Sequence, residues 1–334
     1  MNKNIYNNEL LKKGYLDVKI VEDLDLAAEI NRMRKEKNAV ILAHYYQEGN
    51  IQDIADFIGD SLYLSQQAAK TDAEIIVFCG VHFMAETAKI LSPLKKVLLP
   101  DLNAGCSLSD SCKAEDFKEF LKDYKGFNVI SYVNTSAEIK AMSDIICTSS
   151  NAVQIVKSIP ENEGIVFAPD RNLGNYIQGI TGRNMIVWNG ACHVHEEFSL
   201  ERILALKEQH PHAKIIAHPE CIKQVRIVAD YIGSTSALLK FTIADPGTVY
   251  IVATEPGIMH QMKKSSPHKE FIAAPPKDST CGCSNCSFMK LNTVKKLYTC
   301  MKYELPEILV EEELSRKAAL SIRRMLDISE KLGL

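Results

Sequence analysis

Cysteine is the residue whose placement bears most directly on chemistry in this chain. Cys106, Cys192 and a group at Cys281, Cys283 and Cys286 stand in loops rich in Gly, Asn and Ser, roughly 90 residues apart. Four others differ in setting: Cys79, Cys147, Cys221 and Cys300 sit in or beside apolar runs and read as small buried hydrophobes. A disulfide framework belongs to short secreted chains, not to 334 residues with an α/β pattern. Zinc would want four tetrahedral ligands, usually as paired C-x2-C knuckles, and only one close cluster exists here. One thiolate from each of three places instead offers three ligands to a [4Fe–4S] cluster. The fourth iron then lacks a protein ligand, and an open iron is a Lewis acid.

A second set of groups stands well before each of these cysteines. Three apolar runs, Ala39–His44, Phe127–Tyr132 and Ala213–His218, carry polar pairs at their ends: His44 and Tyr46, Tyr132 and Asn134, His218 and Glu220. Residues two apart on an extended segment share a face, so each pair projects in one direction. Together they cover proton transfer and carboxylate binding. Glu220 is the general-base candidate, and Tyr46 and Tyr132 are acids or proton relays. Seventeen residues beyond each run comes a hydroxyl, Ser61, Ser149 and Thr235, where a strand hands over to a helix. Capping alone would be worth about 1 kcal/mol at each. Three helix N-termini aimed at one cavity would also suit a ligand with several anionic groups, a dicarboxylate, a phosphate ester or both.

The elements that must position these groups repeat three times. Each copy runs strand, helix, strand, helix, strand, helix, strand and reaches its cysteine just after the last strand, a periodicity that decides the architecture. Strands alternating with helices imply parallel sheets covered on both faces, with ligands at the carboxyl ends of the strands. The expected fold is α/β: three pseudo-symmetric three-layer αβα domains with small parallel sheets around a central active site. Expected boundaries are 1–112 with the N-terminal helix, 113–198, and 199–299 with the Cys-rich loop. A C-terminal helix within 300–334, opened by Pro306 and the acids that follow, is expected to pack back on the first repeat.

Composition narrows the class. Net charge is −3 with the signs interspersed, so no polybasic footprint points to nucleic acid. The first residues lack an apolar leader core, and no run approaches the roughly 18 apolar residues of a membrane span. A cytosolic, membrane-free enzyme is expected.

Several short motifs resemble those of the quinolinate synthase family, the A-type proteins of de novo NAD biosynthesis. They are Ala43-His44-Tyr45-Tyr46-Gln47, Gly59-Asp60-Ser61-Leu62, Phe78-Cys79-Gly80-Val81-His82-Phe83-Met84, Tyr132-Val133-Asn134-Thr135 and Cys147-Thr148-Ser149-Ser150-Asn151-Ala152. Further along come Gly190-Ala191-Cys192-His193-Val194-His195, His218-Pro219-Glu220-Cys221 and Gly233-Ser234-Thr235. In this order they cover almost the whole chain. The resemblance implies condensation of iminoaspartate (iminosuccinate) with dihydroxyacetone phosphate to quinolinate, with loss of phosphate and water. It implies a [4Fe–4S] cluster on Cys106, Cys192 and one cysteine near 281–286. Register among the repeats favours Cys281, whereas the family pattern favours Cys286, followed by Ser287-Phe288-Met289, and Cys286 is taken. Family members often carry C-x2-C-x2-C where this chain has C-x-C-x2-C, so the resemblance assigns no redox role to Cys281 and Cys283. The implied substrate-site residues are His44, Tyr46, Ser61, Tyr132, Asn134, Ser149, His218, Glu220 and Thr235. An L-aspartate oxidase or dehydrogenase is the implied functional partner. The competing readings are an aconitase-like [4Fe–4S] hydro-lyase, an iron–sulfur sensor and a zinc-bound structural protein.

Overall fold

The computed structural model describes residues 10, 12–278 and 284–334. Three four-stranded, all-parallel sheets form within them. The first is built from Ala39–His44 (β1), Phe57–Gly59 (β2), Ile75–Cys79 (β3) and Lys96–Leu98 (β4), in the order β2-β1-β3-β4. The second uses Asn128–Tyr132 (β5), Ile145–Cys147 (β6), Ile165–Ala168 (β7) and Ile186–Val187 (β8), ordered β6-β5-β7-β8. Lys214–Ala217 (β9), Tyr231–Ile232 (β10), Val249–Ala253 (β11) and Glu270–Ala273 (β12) form the third, ordered β10-β9-β11-β12. One strand order thus recurs three times, and the expected α/β class with three small parallel sheets flanked by helices is what the chain adopts. The central strands are continuous apolar runs because helices bury them on both faces. All five residues of β3 and all four of β7 are buried.

The second strand of each sheet is only two or three residues long, and an aspartate fixes it. Asp56 donates its N–H to Ile41 O (2.9 Å) and accepts the Ile41 N–H on its carboxylate (2.8 Å). Asp144 does the same with Val129 (2.9 and 2.8 Å), and Asp230 with Ile215 (2.7 and 2.8 Å). Each carboxylate satisfies a strand amide that the short neighbour cannot reach, an N–H that would otherwise be costly to leave unpaired.

Two compact units divide the chain. One runs to Cys106 and takes in Ser287–Ala319; the other is Ser107–Cys286 with Leu320–Leu334. In the first unit, Ile41, Ile75, Val77 and Leu98 pack with Ile30 and Met33 of helix Leu26–Glu36 and with Leu297 and Met301 of helix Val294–Tyr303. Each such side chain, fully buried, contributes about 1.5–3 kcal/mol. In the second unit, Val129, Val166 and Ala168 pack with Phe117 and Cys112. A separate core there joins Ile215, Ala217, Ile251 and Ala253 to Val194, Phe198 and Ile203.

Two local expectations are corrected. Pro306 does not open the last helix, which is Glu312–Lys331. Residues 306–308 instead run antiparallel along β4, with Leu99 N–H on Pro306 O (3.3 Å) and Ile308 N–H on Val97 O (2.8 Å). The helix starts after Glu311, whose carboxylate accepts from the amides of Glu313 (3.0 Å) and Leu314 (2.8 Å). Its later part also belongs with the second unit: Ser321 donates to Lys140 O (2.7 Å), and Asn151 Nδ2 donates to Ser329 Oγ (2.9 Å).

The three hydroxyls are not helix caps either. Asp60 caps helix Ser61–Lys70 by accepting the Tyr63 N–H (3.1 Å), and Ser234 caps Thr235–Ala244 by accepting the Ala237 N–H (3.3 Å). In the middle repeat Asn151 stands at the cap position of Ala152–Lys157, two residues past Ser149. The preceding acid or hydroxyl does the capping, which relieves Ser61 and Thr235 of that role. No helix among the described residues is long and apolar enough to cross a membrane.

Candidate active site

In the second unit the carboxyl ends of β5 and β9 bring Tyr132 and Glu220 together. Tyr132 ends β5, and its hydroxyl donates to Glu220 Oε1 at 2.6 Å. Glu220 lies three residues past the end of β9 and is buried. His195 Nδ1 lies 3.2 Å from Glu220 Oε2, and His218 Nδ1 lies 3.6 Å from Oε1. The two imidazoles stack with centroids 4.8 Å apart. The Glu220 backbone N–H points at His218 Nδ1 (3.3 Å), and the other ring nitrogen, Nε2, lies 3.2 Å from Ser149 Oγ. His195 Nε2 meets Thr254 Oγ1 at 3.0 Å. The Ser149 loop is tied to the start of the Thr235 helix by Ser150 Oγ donating to Ser234 Oγ (2.8 Å). The Asn134 Oδ1 is buried and meets no hydrogen-bond donor among the described residues, which makes it an acceptor available to a ligand.

Two buried carboxyls in this cluster are pushed in opposite directions. Burial would raise Glu220, but the imidazoles of His195 and His218, together with the Tyr132 hydrogen bond, outweigh it and hold Glu220 well below the usual range. Asp170 goes the other way. Burial first and the charge of Glu220 second drive its carboxyl well up, although backbone amides including Leu173 N–H (2.7 Å) and that of Cys192 oppose the rise. Like charges close together in a dry site cannot both ionise cheaply, and this pair divides into one anion and one neutral acid. His193 is drawn below its usual value by burial, then by His195, and its Nδ1 meets Ser107 Oγ at 2.7 Å.

The first unit presents the equivalent of the His218–Glu220 turn. The Tyr46 N–H points at His44 Nδ1 (3.2 Å), and the two rings meet edge to face at 4.4 Å. Lys290 Nζ donates to Tyr46 O (2.8 Å), and Gln47 Nε2 lies 3.4 Å from Met289 Sδ, so the segment just past Cys286 braces this turn. Ser61 begins the helix after β2, and Cys106 ends a loop in which a Cβ at Gly105 would come within 3.5 Å of the Phe288 ring.

The described cysteines fall into two groups. Cys79, Cys147, Cys221 and Cys300 are buried, as their apolar settings imply, and Cys112 joins them. Burial pushes the thiols of Cys79 and Cys112 up to about 12 and raises the other three as well. Cys106, Cys192 and Cys286 are only half buried. The Cys192 Sγ lies within 4.8 Å of ligand atoms of His195 and Glu220. Cys192 and Cys286 flank the same apolar core in the second unit. The Cys286 N–H points at the buried Glu255 carboxylate (3.4 Å), which also accepts the Gly257 N–H (2.7 Å). Accessible thiols of this kind suit iron–sulfur ligation, whereas the buried ones do not. Cys281 and Cys283 lie outside the described residues.

Sequence reasoning on strand ends found Tyr132, Ser149, His218 and Glu220 but missed His195, Asp170, Thr254 and Glu255. For Asp170, Thr254 and Glu255 the missed signal was the third strand of the second and third repeats. Asp170 and Glu255 stand two residues past the ends of β7 and β11, and Thr254 is the first residue after β11. His195 is three residues past Cys192, on the short helix His193–Glu196.

Comparison with known proteins supplies the family. The family described as Quinolinate synthetase A protein matches residues 28–327. A quinolinate synthase of Microcystis aeruginosa is 61% identical over 305 residues, covering 91% of this chain and 95% of that protein. One from Thermosynechococcus vestitus is 58% identical over 92% of this chain and 96% of its own length. A third, from Synechocystis sp., is 59% identical over 91% and 96%. Matches of this extent, taken with three parallel sheets of one strand order, place the chain in the quinolinate synthetase A family.

Proposed function

We propose that this chain is a quinolinate synthase that condenses iminoaspartate with dihydroxyacetone phosphate, giving quinolinate, phosphate and water. The observation that carries the reading is the buried Tyr132–Glu220 pair with His195, His218 and Ser149 around it and the Cys192 thiol beside it. Cys106, Cys192 and Cys286 would hold a [4Fe–4S] cluster, whose open iron supplies a Lewis acid toward a substrate hydroxyl.

The chain's own groups do the rest. Because the Tyr132 hydroxyl already donates to Glu220, its oxygen can take a proton from substrate while its own proton passes to Oε1. His218 Nε2 orients Ser149 Oγ, and that hydroxyl with Asn134 and Thr235 binds substrate carboxylate or phosphate oxygens. His44 and Tyr46 provide a second imidazole and phenol for the same work. Iminoaspartate would be supplied by an L-aspartate oxidase or dehydrogenase.

The test is an anaerobic assay of quinolinate formation together with iron and sulfide analysis of the purified protein. The expected outcome is about four irons and four sulfides per chain, with turnover that requires both substrates. Cys192→Ser should lose cluster absorbance and turnover together. Activity without dihydroxyacetone phosphate would point instead to a hydro-lyase, and a protein loaded with zinc would overturn the cluster.

A further inference from the structure

The second unit also contains a cavity of about 560 Å³ lined by helix Arg171–Thr181 and by Lys223, Arg226 and Ile227 of the segment after β9. Its volume lies within the range of small-molecule sites. Its charge is one-sided: among the described residues Lys223 and Arg226 line it, and no Asp or Glu does.

Arg226 makes this more than a surface dent. Its side chain is only 8% exposed, yet no carboxylate among the described residues lies within ion-pairing distance, and Nε is buried with no hydrogen-bond partner. Its guanidinium stands 5.3 Å from the Tyr176 ring, which also lines the cavity, and its nearest acidic neighbour in electrostatic reach is Asp170, the carboxyl that burial and Glu220 drive toward the neutral form. Burying a guanidinium without an anion is costly, and burial draws its affinity for the proton down accordingly. Natural proteins leave few such groups unsatisfied, and an exception calls for a partner.

The remaining lining fits an anionic partner. The Asn175 Oδ1 already accepts from Gln178 Nε2 (3.3 Å), which leaves its amide N–H groups to donate. The rim carries Ile180 and Ile227, 49% and 71% exposed, which would face the uncharged part of an organic ligand. A planar guanidinium with a second cation nearby is the arrangement that recognises carboxylates and phosphates.

We propose that this cavity is a second binding site, separate from the Glu220 cluster, for a small anion bearing carboxylate or phosphate groups, seated on Arg226 and Lys223. The proposal does not depend on the reaction assigned above: none of Tyr132, Glu220, His195 and His218 lines the cavity, although Asp170 acts on Arg226 from the neighbouring cluster.

Calorimetric titration of the full chain tests it, with pyridine-2,3-dicarboxylate as one probe and inorganic phosphate as the other. The wild type is expected to show a site for at least one probe that Lys223→Glu weakens tenfold or more, with turnover unchanged. Arg226→Met, shown to be folded by its thermal melt, should abolish that site. Both probes are products of the proposed reaction, so binding that Lys223→Glu leaves intact belongs to the Glu220 cluster; a Lys223-dependent site for the dicarboxylate alone assigns an organic carboxylate ligand, and one for phosphate alone assigns a phosphate-bearing one. If neither probe binds, or if Lys223→Glu titrates like the wild type, the proposal is overturned. A wild type that makes no quinolinate but keeps the Lys223-dependent site would sink the proposed reaction and leave this site standing.

Discussion

Glu220 accepts a hydrogen bond from Tyr132 and lies against two stacked imidazoles, so its charge organises the groups around it. Glu220→Gln keeps the shape but removes the anion that receives the Tyr132 proton. Turnover should fall by about 10²–10⁴-fold, while iron content and thermal melting stay close to wild type; normal turnover in the variant would end its role as a base. Farther out, Asp245 is held at about 2 by hydrogen bonding from Lys214, which outweighs the effect of burial, with Tyr250 and the Gly247 amide adding to it. A carboxyl lowered on folding lends stability above its unfolded value near 4 and loses it as pH falls toward about 2. The melting temperature of Asp245→Asn should therefore depend less on pH across that interval than that of wild type. At this scale the sequence disclosed residue types and register but not partners. His218 and Ser149 read as separate strand-end and cap residues, and only folding showed that the imidazole Nε2 faces the hydroxyl.

The element with the clearest threefold signature was not among those the motifs picked out. Asp56, Asp144 and Asp230 each stand fifteen residues past the strand amide they accept, and in all three repeats the carboxylate-to-amide distance is 2.8 Å. An acid just before a short apolar run looks like ordinary turn punctuation until its side chain is seen reaching back across the sheet. Asp144→Ala leaves the Val129 N–H without its acceptor and should cost about 1–3 kcal/mol, whereas Asp144→Asn keeps an acceptor oxygen and should recover part of that. Urea unfolding checks this, and an Asp144→Ala chain as stable as the wild type would end the role of the carboxylate. Strand positions were legible because β1, β5 and β9 each carry an apolar core, Ala39–Ala43, Val129-Ile130 and Ile215–Ala217, bounded by polar residues. Helix starts were misassigned by one or two residues, because Asp60 and Ser234, not the neighbouring hydroxyls, meet the free amides.

At the scale of the whole molecule, the repeat implied three small parallel sheets, and the chain has them, with one strand order common to all three. It did not reveal where the C-terminal segment goes, because Pro306 followed by acids reads equally as the start of a helix or as an extended strip. The strip is what forms, and residues 306–308 lie along β4. Without that strip, β4 would present bare amides and carbonyls able to recruit a strand from another copy. Ile308→Pro, which cannot donate to Val97 O, should therefore raise light scattering with protein concentration while the Tyr132–Glu220 cluster keeps its chemistry. Three residues near the end of the chain thus act as a guard against polymerisation.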